Sequence, residues 1–417
     1  MPLQSAGFAA DIMEILRAPR LLVLSAYYFP VQGGSETHAR ALAAYLQKAG
    51  FDLRVVTKRV DANSPAVERI DDVPVYRVPP AGERTGFRKW LMIPFAFAKI
   101  VSLRREFDLI YCPGYQGIGV AAIMAGRLLG RPVVLRSGNL GVLAGGNWNA
   151  PLARWGLGGS TAVVRWLKGR LRAIYMAADA FVCNCREIET EAVECQVPRN
   201  HVHYLPNAVD LTRFQAPVDG ERAQIRASAG WPADALICLY VGRLSTEKGV
   251  LDVLAAWREV RHDNALLILV GPDMTGNPLD AGPLARRYVS EHGMGDRVRF
   301  HGASRDVAHL LRAADIYVQP SHYEAFSNAV IEAMATGLPV VASRVGGMLD
   351  CIVDDENGLL STPADAADIA RKLQRAIDDA GLRARLGERA RQTVVDQFDE
   401  VKVFQKFADL FVALSSR

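Results

Sequence analysis

A chain of 417 residues, half of them hydrophobic and 23% charged, exceeds one ordinary core and suits two globular domains. No apolar run reaches the roughly 18 residues of a membrane span, and an N-terminus bearing Asp11 and Glu14 without a basic leader does not read as a signal peptide. The net charge of +4 is split, with +9 on residues 1–205 and −5 on residues 206–417, so the first half presents a positive field.

In chain order, Phe8, Ile12, Ile15 and Leu16 fit a short amphipathic helix packed on the body. Buried-strand patterns follow at Leu21–Ser25, Asp52–Thr57, Leu109–Cys112, Pro132–Leu135, Ala180–Cys183 and Val202–Leu205, with helical patterns between them such as Glu36–Ala49. The alternation restarts at Ile237–Val241, Ala265–Val270, Arg297–His301, Ile316–Gln319 and Pro339–Ala342. The fold class is therefore α/β, two Rossmann-like doubly wound domains. The boundaries expected are residues 1–205, a linker at 206–217, a second domain at 218–397, and a last helix at 398–417. That helix carries Phe404, Phe407, Phe411 and Leu414 on one side, and either ends the second domain or crosses back to the first. The six scattered cysteines read as reduced, small apolar residues of a cytoplasmic protein; Cys183 and Cys185 stand too close for a usual zinc pair.

Three stretches can carry chemistry. In residues 22–38 a buried strand runs through Gly33 and Gly34 into a helix. Two glycines let backbone N–H groups approach a ligand, and a helix start favours an anion; the nicotinamide fingerprint G-x-G-x-x-G is absent, and the same pattern also fits a plain turn. In residues 239–250 a strand ends at Gly242 and a helix begins near Gly249, with Arg243 and Lys248 on the connecting loop. Ligands of open α/β sheets bind beyond the carboxyl ends of strands, and two fixed cations suit a diphosphate, although a solvated loop has the same composition. In residues 321–343 Glu324 precedes a helix started by Ser327 and Asn328, and Glu332 lies one turn inside it. N–H groups at Ala325, Phe326 and Ser327 form a polar cradle. Carboxylates suit vicinal hydroxyls, so the two glutamates can hold the two ends of a nucleotide-sugar, although acids near a helix start also serve as solvated or capping residues.

With those stretches in view, the chain resembles the retaining glycosyltransferases of the GT-B fold, family four. The resemblance runs from about residue 20 to 400, through YYFPVQGGSETHARALAAYLQKAG, AADAFVCN with VHYLPNAVDLTRF, GRLSTEKG, the Glu-x7-Glu segment and SRVGGMLDCIVDDENGLL. It implies a configuration-retaining hexosyltransferase-type enzyme, with the nucleotide in the second domain, the acceptor in the first, and a cleft between them that closes by hinge motion. It implies that Gly33 and Gly34 donate N–H groups to the donor diphosphate and that Arg243 and Lys248 bind it as it leaves. Glu324 would hold the transferred sugar, beside the N–H groups of Phe326 and Ser327 and near Asn328; Glu332 would hold the ribose. No D-x-D stands at a strand end, so no metal and no cofactor beyond the nucleotide-sugar donor is expected. The chain departs from the family pattern at Ala208, Ala325 and Asp350, and it lacks the histidine that many relatives carry on the loop after Pro132–Leu135. Ser137 or Asn139 can take that place; His38, Arg136, Ser137 and Asn139 are the acceptor-side candidates.

Residues 109–178 hold eight bases and no acid, and residues 84–105 mix six bases with Trp90, Phe95 and Phe97; residues 163–174 repeat the theme around Trp166. Such segments can lie on an anionic bilayer or serve as core helices with snorkelling bases. The expected acceptor is a hydroxyl of a glycan, glycolipid or lipid-linked saccharide in polysaccharide or glycoconjugate synthesis, and an anionic membrane surface is a candidate partner. A phosphorylated or acidic sugar acceptor also suits the positive field. Nucleic acid is not expected, because no recognition motif occurs. Two rivals share the fold: a nucleotide-sugar 2-epimerase-like isomerase, and a non-catalytic glycan-binding subunit. The missing loop histidine and the intact Glu-x7-Glu argue against the first, and the retained Arg243, Lys248, Glu324 and Glu332 against the second.

Overall fold

Strand Arg20–Leu24 (β1) lies in the middle of an eight-stranded sheet because four of its five residues are wholly buried and apolar. In a computed structural model, residues 18–30, 34–82, 88–115, 117–143 and 162–416 are described. The chain divides into two compact units, residues 1–205 with Phe404–Arg417, and Pro206–Val403. The expected N-terminal amphipathic helix and Gly33 lie outside the described residues.

In the first unit β1 pairs in parallel with β2 (Asp52–Lys58) on one side and with β5 (Leu109–Pro113) on the other. The sheet grows outward from there, through β4 (Val73–Val78) and β3 (Val67–Ile70) on one flank. On the other flank come β6 (Val133–Ser137), β7 (Ala180–Cys183) and β8 (Val202–Tyr204). The direction of winding reverses between β1 and β5, which makes their carboxyl ends the switch point of this sheet. Helix α1 runs from Gly34 to Lys48, two residues earlier than the pattern places its start. Helices α2 (Arg88–Ser102), α3 (Gly119–Leu129), α4 (Ala162–Tyr175) and α5 (Arg186–Glu194) fill the crossovers. The sequence reading missed β3 and β4. They form an antiparallel hairpin closed by Asp71 and Asp72, both at positive φ, the backbone of a two-residue primed turn. From Phe404 onward the last helix belongs to this unit: Phe411 packs 5.2 Å from the Tyr111 ring, Phe404 packs 5.7 Å from Tyr45, and the Tyr45 hydroxyl donates to Gln405 Oε1 at 2.7 Å.

The second unit holds six parallel strands in the order β11-β10-β9-β12-β13-β14. They are β9 (Leu236–Val241), β10 (Ala265–Val270), β11 (Val298–Gly302), β12 (Ile316–Gln319), β13 (Val340–Ser343) and β14 (Leu359–Ser361), the last missed by the sequence reading. Helices α6 (Glu221–Ser228), α7 (Val250–Glu259), α8 (Gly282–Glu291), α9 (Val307–Ala313), α10 (Asn328–Ala335), α11 (Met348–Cys351), α12 (Ala366–Asp378) and α13 (Ala380–Gln397) surround them. Winding reverses between β9 and β12, so Arg243 and Glu324, just past those strands, flank the switch point. Residues 206–217, read as a linker, are part of this unit: Val209 bridges Asp399 and Phe214 is buried. The closing helix α14 (Glu400–Ser415) starts two residues after the expected Phe398, which instead packs its ring 5.6 Å from Phe326. All six cysteines are buried free thiols. No described helix is long and apolar enough to cross a membrane.

Candidate active site

The site in the second unit is built by backbone packed on backbone. Residues Thr246–Lys248 form one 3-10 turn after β9, and Gly249 ends it at φ +67°. A Cβ on Gly249 would stand 1.9 Å from the carbonyl oxygen of Pro320 on the loop after β12. Only glycine combines that left-handed conformation with such a close approach. The two switch-point loops therefore touch, and Lys248 meets Glu324 in a hydrogen-bonded ion pair, both side chains partly buried. A second tie joins the same loops: His322 donates its backbone N–H to Glu247 O at 2.9 Å, and its Nε2 lies 2.6 Å from Asp252 Oδ2.

Arg243 leaves the same loop exposed to solvent, while its carbonyl is fixed by the Tyr240 hydroxyl and the Ser245 N–H, each at 2.8 Å. Below it a buried polar chain runs from the Tyr317 hydroxyl to Gln319 (2.7 Å) and on to Ser321 (2.9 Å). A satisfied buried network of this kind holds one geometry.

Glu324 belongs to a loop clamped from the other side. Gly347 N–H donates to Ala325 O at 3.0 Å, and a Cβ on Gly347 would stand 2.2 Å from that oxygen. The Gly346-Gly347 pair thus lets α11 press on the glutamate loop. Ser327 caps α10, its hydroxyl accepting the Val330 N–H at 3.4 Å, and Asn328 Oδ1 accepts from Asn207 Nδ2 at 2.6 Å. The N–H groups of Ala325 and Phe326 meet no acceptor among the described residues. Glu332 follows inside α10. Burial pushes its carboxyl up to about 7, against the opposing pull of the Arg213 guanidinium. Burial also raises the Tyr317 phenol well above its ordinary value, with Tyr240 and then the carboxylates of Glu332 and Glu324 adding to the rise; both glutamates act on one buried ring. Among the described residues no group of three metal-ligating side chains occurs.

In the first unit, Gly34 opens α1. The four acceptor-side candidates do not share one surface. His38 is buried on α1, its ring 5.4 Å from Phe404 and 5.6 Å from Phe407. Burial, with Arg136 nearby, holds its imidazole well below the usual range, so it is neutral. Arg136 on β6 is buried too, and burial lowers its pKa. These two are interior groups because His38 packs against the aromatic rings of the closing helix and Arg136 lies inside a fully buried strand. Ser137 is buried and donates to Asn139 O at 2.8 Å; Asn139 is exposed.

The sequence reading passed over three charged residues of this unit. Lys58, the last residue of β2, is buried with its ammonium 4.8 Å from the Tyr27 ring centre. Arg77, beside it on β4, is buried and binds Glu68 and the Phe29 carbonyl. Glu191 of α5 accepts from Gly141 N–H (2.7 Å) and Leu143 N–H (3.1 Å), fixing the loop after β6. A basic residue closing a strand pattern and a lone Glu on a helix carry no sequence mark that separates them from surface charge.

Residues 221–393 match the model of the glycosyl transferases group 1, and residues 33–208 match that of the glycosyl transferase 4-like domain. The chain is 30% identical over 406 residues to a D-inositol 3-phosphate glycosyltransferase of Arthrobacter sp. strain FB24, covering 91% of each chain. It is 29% identical over 409 residues to the protein of the same name from Xylanimonas cellulosilytica, covering 90% of this chain and 92% of that one. Its structure resembles sucrose-phosphate synthase from Thermosynechococcus elongatus with a TM-score of 0.77 at 26% identity, over 95% of this chain and 99% of the other. Anabaena HepE, solved with UDP-glucose, shares the fold at a TM-score of 0.75 and 20% identity, over 95% and 100%.

Proposed function

This chain belongs to the group 1 glycosyltransferases, of GT-B fold, and we propose that it moves a sugar from a nucleotide-diphosphate sugar to a hydroxyl acceptor. In this reading the anomeric configuration is retained and no metal is needed. The observation that carries it is the Lys248–Glu324 contact at the switch point of the second sheet, with Arg243 on the same loop as Lys248.

The chemistry follows from charge. As the bond from the sugar C1 to the diphosphate oxygen breaks, negative charge grows on the leaving diphosphate. Arg243 and Lys248 meet that charge, the task a metal would otherwise perform. Glu324, held by Lys248 in the free protein, accepts hydrogen bonds from hydroxyls of the transferred sugar once the donor binds, and frees the ammonium for phosphate. The N–H groups of Phe326 and Ser327, at the head of α10, add partial positive charge. Glu332 accepts the ribose hydroxyls. The acceptor oxygen attacks C1 on the face the diphosphate leaves, and its proton passes to the leaving phosphate oxygen, so no side-chain nucleophile is required.

The acceptor hydroxyl belongs to a glycan, glycolipid or lipid-linked saccharide, and the lipid-linked case places the enzyme on the inner face of a membrane. A phosphorylated cyclitol is the second reading, favoured by the names of the two bacterial relatives and by the net positive charge of residues 1–205. The test is product analysis by NMR, with a panel of sugar nucleotides and hydroxyl acceptors in the presence of a chelator. The expected result is a new glycoside with the donor's anomeric configuration. An epimerised sugar nucleotide would transfer the site to an isomerase, and binding without product would make the chain a non-catalytic subunit.

A further inference from the structure

One surface of the first unit has no part in that chemistry. Helices α2, α3 and α4 are packed side by side along the crossovers from β4 to β7, and right-handed crossovers put successive helices on one side of a sheet. Among the described side chains of α2 the exposed ones are Leu91, Pro94, Phe95, Ala98 and Ser102, uncharged positions at helical spacing. On the neighbouring α3 the exposed positions include Met124 and Leu128, one turn apart, the latter 64% exposed. Trp166 on α4 is 62% exposed, with the Arg170 guanidinium 5.7 Å from its ring centre. Of the aromatics in this region, Trp90 turns inward against Gly117, so the outward apolar surface is mostly aliphatic. A soluble surface rarely groups large apolar side chains in this way without a partner.

The charge around the stripe has one sign. Arg104 and Arg105 are exposed just beyond α2, and Arg127 and Arg170 are exposed on α3 and α4. Residues 109–178 contain no acid. The acids that flank residues 109–178 among the described residues are already engaged: Glu106 pairs with Arg54, Asp108 with Arg20, and Asp179 accepts the Val133 N–H. The side chains are spread over three helices rather than lining a groove, which suits a fluid apolar layer better than a folded protein ligand.

We propose that this face docks the enzyme on an anionic lipid bilayer. Leu91, Phe95, Met124, Leu128 and Trp166 enter the boundary between headgroups and acyl chains. The four exposed arginines lie at headgroup phosphates, where each base adds roughly fivefold to the partition constant. The role of this contact rests on the lipid-linked reading of the acceptor; the contact itself does not depend on the donor site.

The experiment is co-sedimentation of the full chain, without donor or acceptor, with vesicles of phosphatidylcholine alone or with about one third phosphatidylglycerol. It is run at about 0.1 M and about 1 M salt, where the screening length falls from roughly 10 Å to 3 Å. The expected result is binding to the anionic vesicles only, lost at high salt. The double variant Phe95→Ser/Leu128→Ser and the double variant Arg104→Glu/Arg127→Glu should each weaken it at least tenfold. These exposed substitutions leave the melting temperature unchanged, and a donor-induced rise in it, read in parallel, reports the donor site separately. Absence of binding, binding indifferent to lipid charge, or variants that bind as the wild type does would overturn the proposal. So would a dimer in light scattering that Phe95→Ser/Leu128→Ser abolishes, which would give the face to a second copy of the chain.

Discussion

The ammonium of Lys248 and the carboxylate of Glu324, 76 residues apart in sequence, are hydrogen-bonded across two loops whose backbones touch at Gly249 and Pro320. In the proposed mechanism this ion pair holds two opposite charges together until a ligand with both phosphate and hydroxyls separates them. Replacing either by an apolar residue exposes the other's charge and removes an interaction made with the leaving group or the sugar. Lys248→Ala and Arg243→Ala should each lower kcat by roughly 10²–10³-fold, the usual cost of losing one electrostatic contact to a transition state. Steady-state kinetics checks this. A change confined to KM would show that the cations only bind the donor.

Gly249 and Gly347 carry the geometry of the site rather than its chemistry. Gly249→Ala would need a left-handed alanine with its Cβ 1.9 Å from Pro320 O. The expected destabilisation is about 2–4 kcal/mol, combining backbone strain and overpacking. Urea unfolding measures it; activity at temperatures where the variant stays folded should fall as well, because the same contact places Lys248.

Glu332 makes the second unit sensitive to pH. Its ordinary value near 4.5 rises to about 7 through burial, so the folded state binds this proton more tightly than the unfolded chain. The stability it contributes is therefore fully present below about 4.5 and is lost as pH rises through 7. The shift is worth at most roughly 3 kcal/mol, less because Glu332 keeps some contact with water. Denaturation of wild type and Glu332→Gln between those limits should show the wild type losing stability relative to the variant as pH rises. A parallel pH course would place the carboxyl in water. Nucleotide affinity should run the opposite way, rising with pH as the carboxylate forms, and should lose that dependence in Glu332→Gln.

On the proposed reading of the acceptor side, Glu191 positions residues 141–143 after β6. Its two backbone contacts at Gly141 and Leu143 are the only side-chain hydrogen bonds to these N–H groups among the described residues. Glu191→Ala should lower kcat/KM for the acceptor about tenfold, with the donor-induced rise in melting temperature unchanged. Equal loss in donor and acceptor kinetics would mean that the substitution disturbs the unit as a whole.

Much of this architecture is legible in the sequence, for identifiable reasons. Strands such as Ala265–Val270 are buried throughout and read as unbroken apolar runs. The β3–β4 hairpin escapes because its turn is Asp71-Asp72 rather than a glycine pair, and because an antiparallel flank breaks the alternation being followed. Ser327 and Asn328 announce α10 through their side chains, and Glu332 is found inside it by counting. Its raised pKa is invisible until the burial of the helix is known. His38 and Arg136 show the converse: polar residues beside a motif look functional in one dimension, yet helix and strand orientation turn both into the interior. Gly249 and Gly347 stand in recognisable motifs, but the carbonyls that exclude a side chain there come from loops about 70 and 20 residues earlier or later in the chain.

The most direct test of the donor site is a thermal-shift panel of UDP, GDP, ADP and dTDP and their sugar conjugates, in chelator, on wild type, Arg243→Ala and Glu332→Ala. A ligand at about 100 times its Kd adds roughly 2.7 kcal/mol to the stability of the folded state, several degrees for a unit of this size. The account predicts that one nucleotide series raises the wild-type melting temperature and that both variants lose most of that rise. Variants that respond as the wild type does, or a wild type that no nucleotide stabilises, would contradict it.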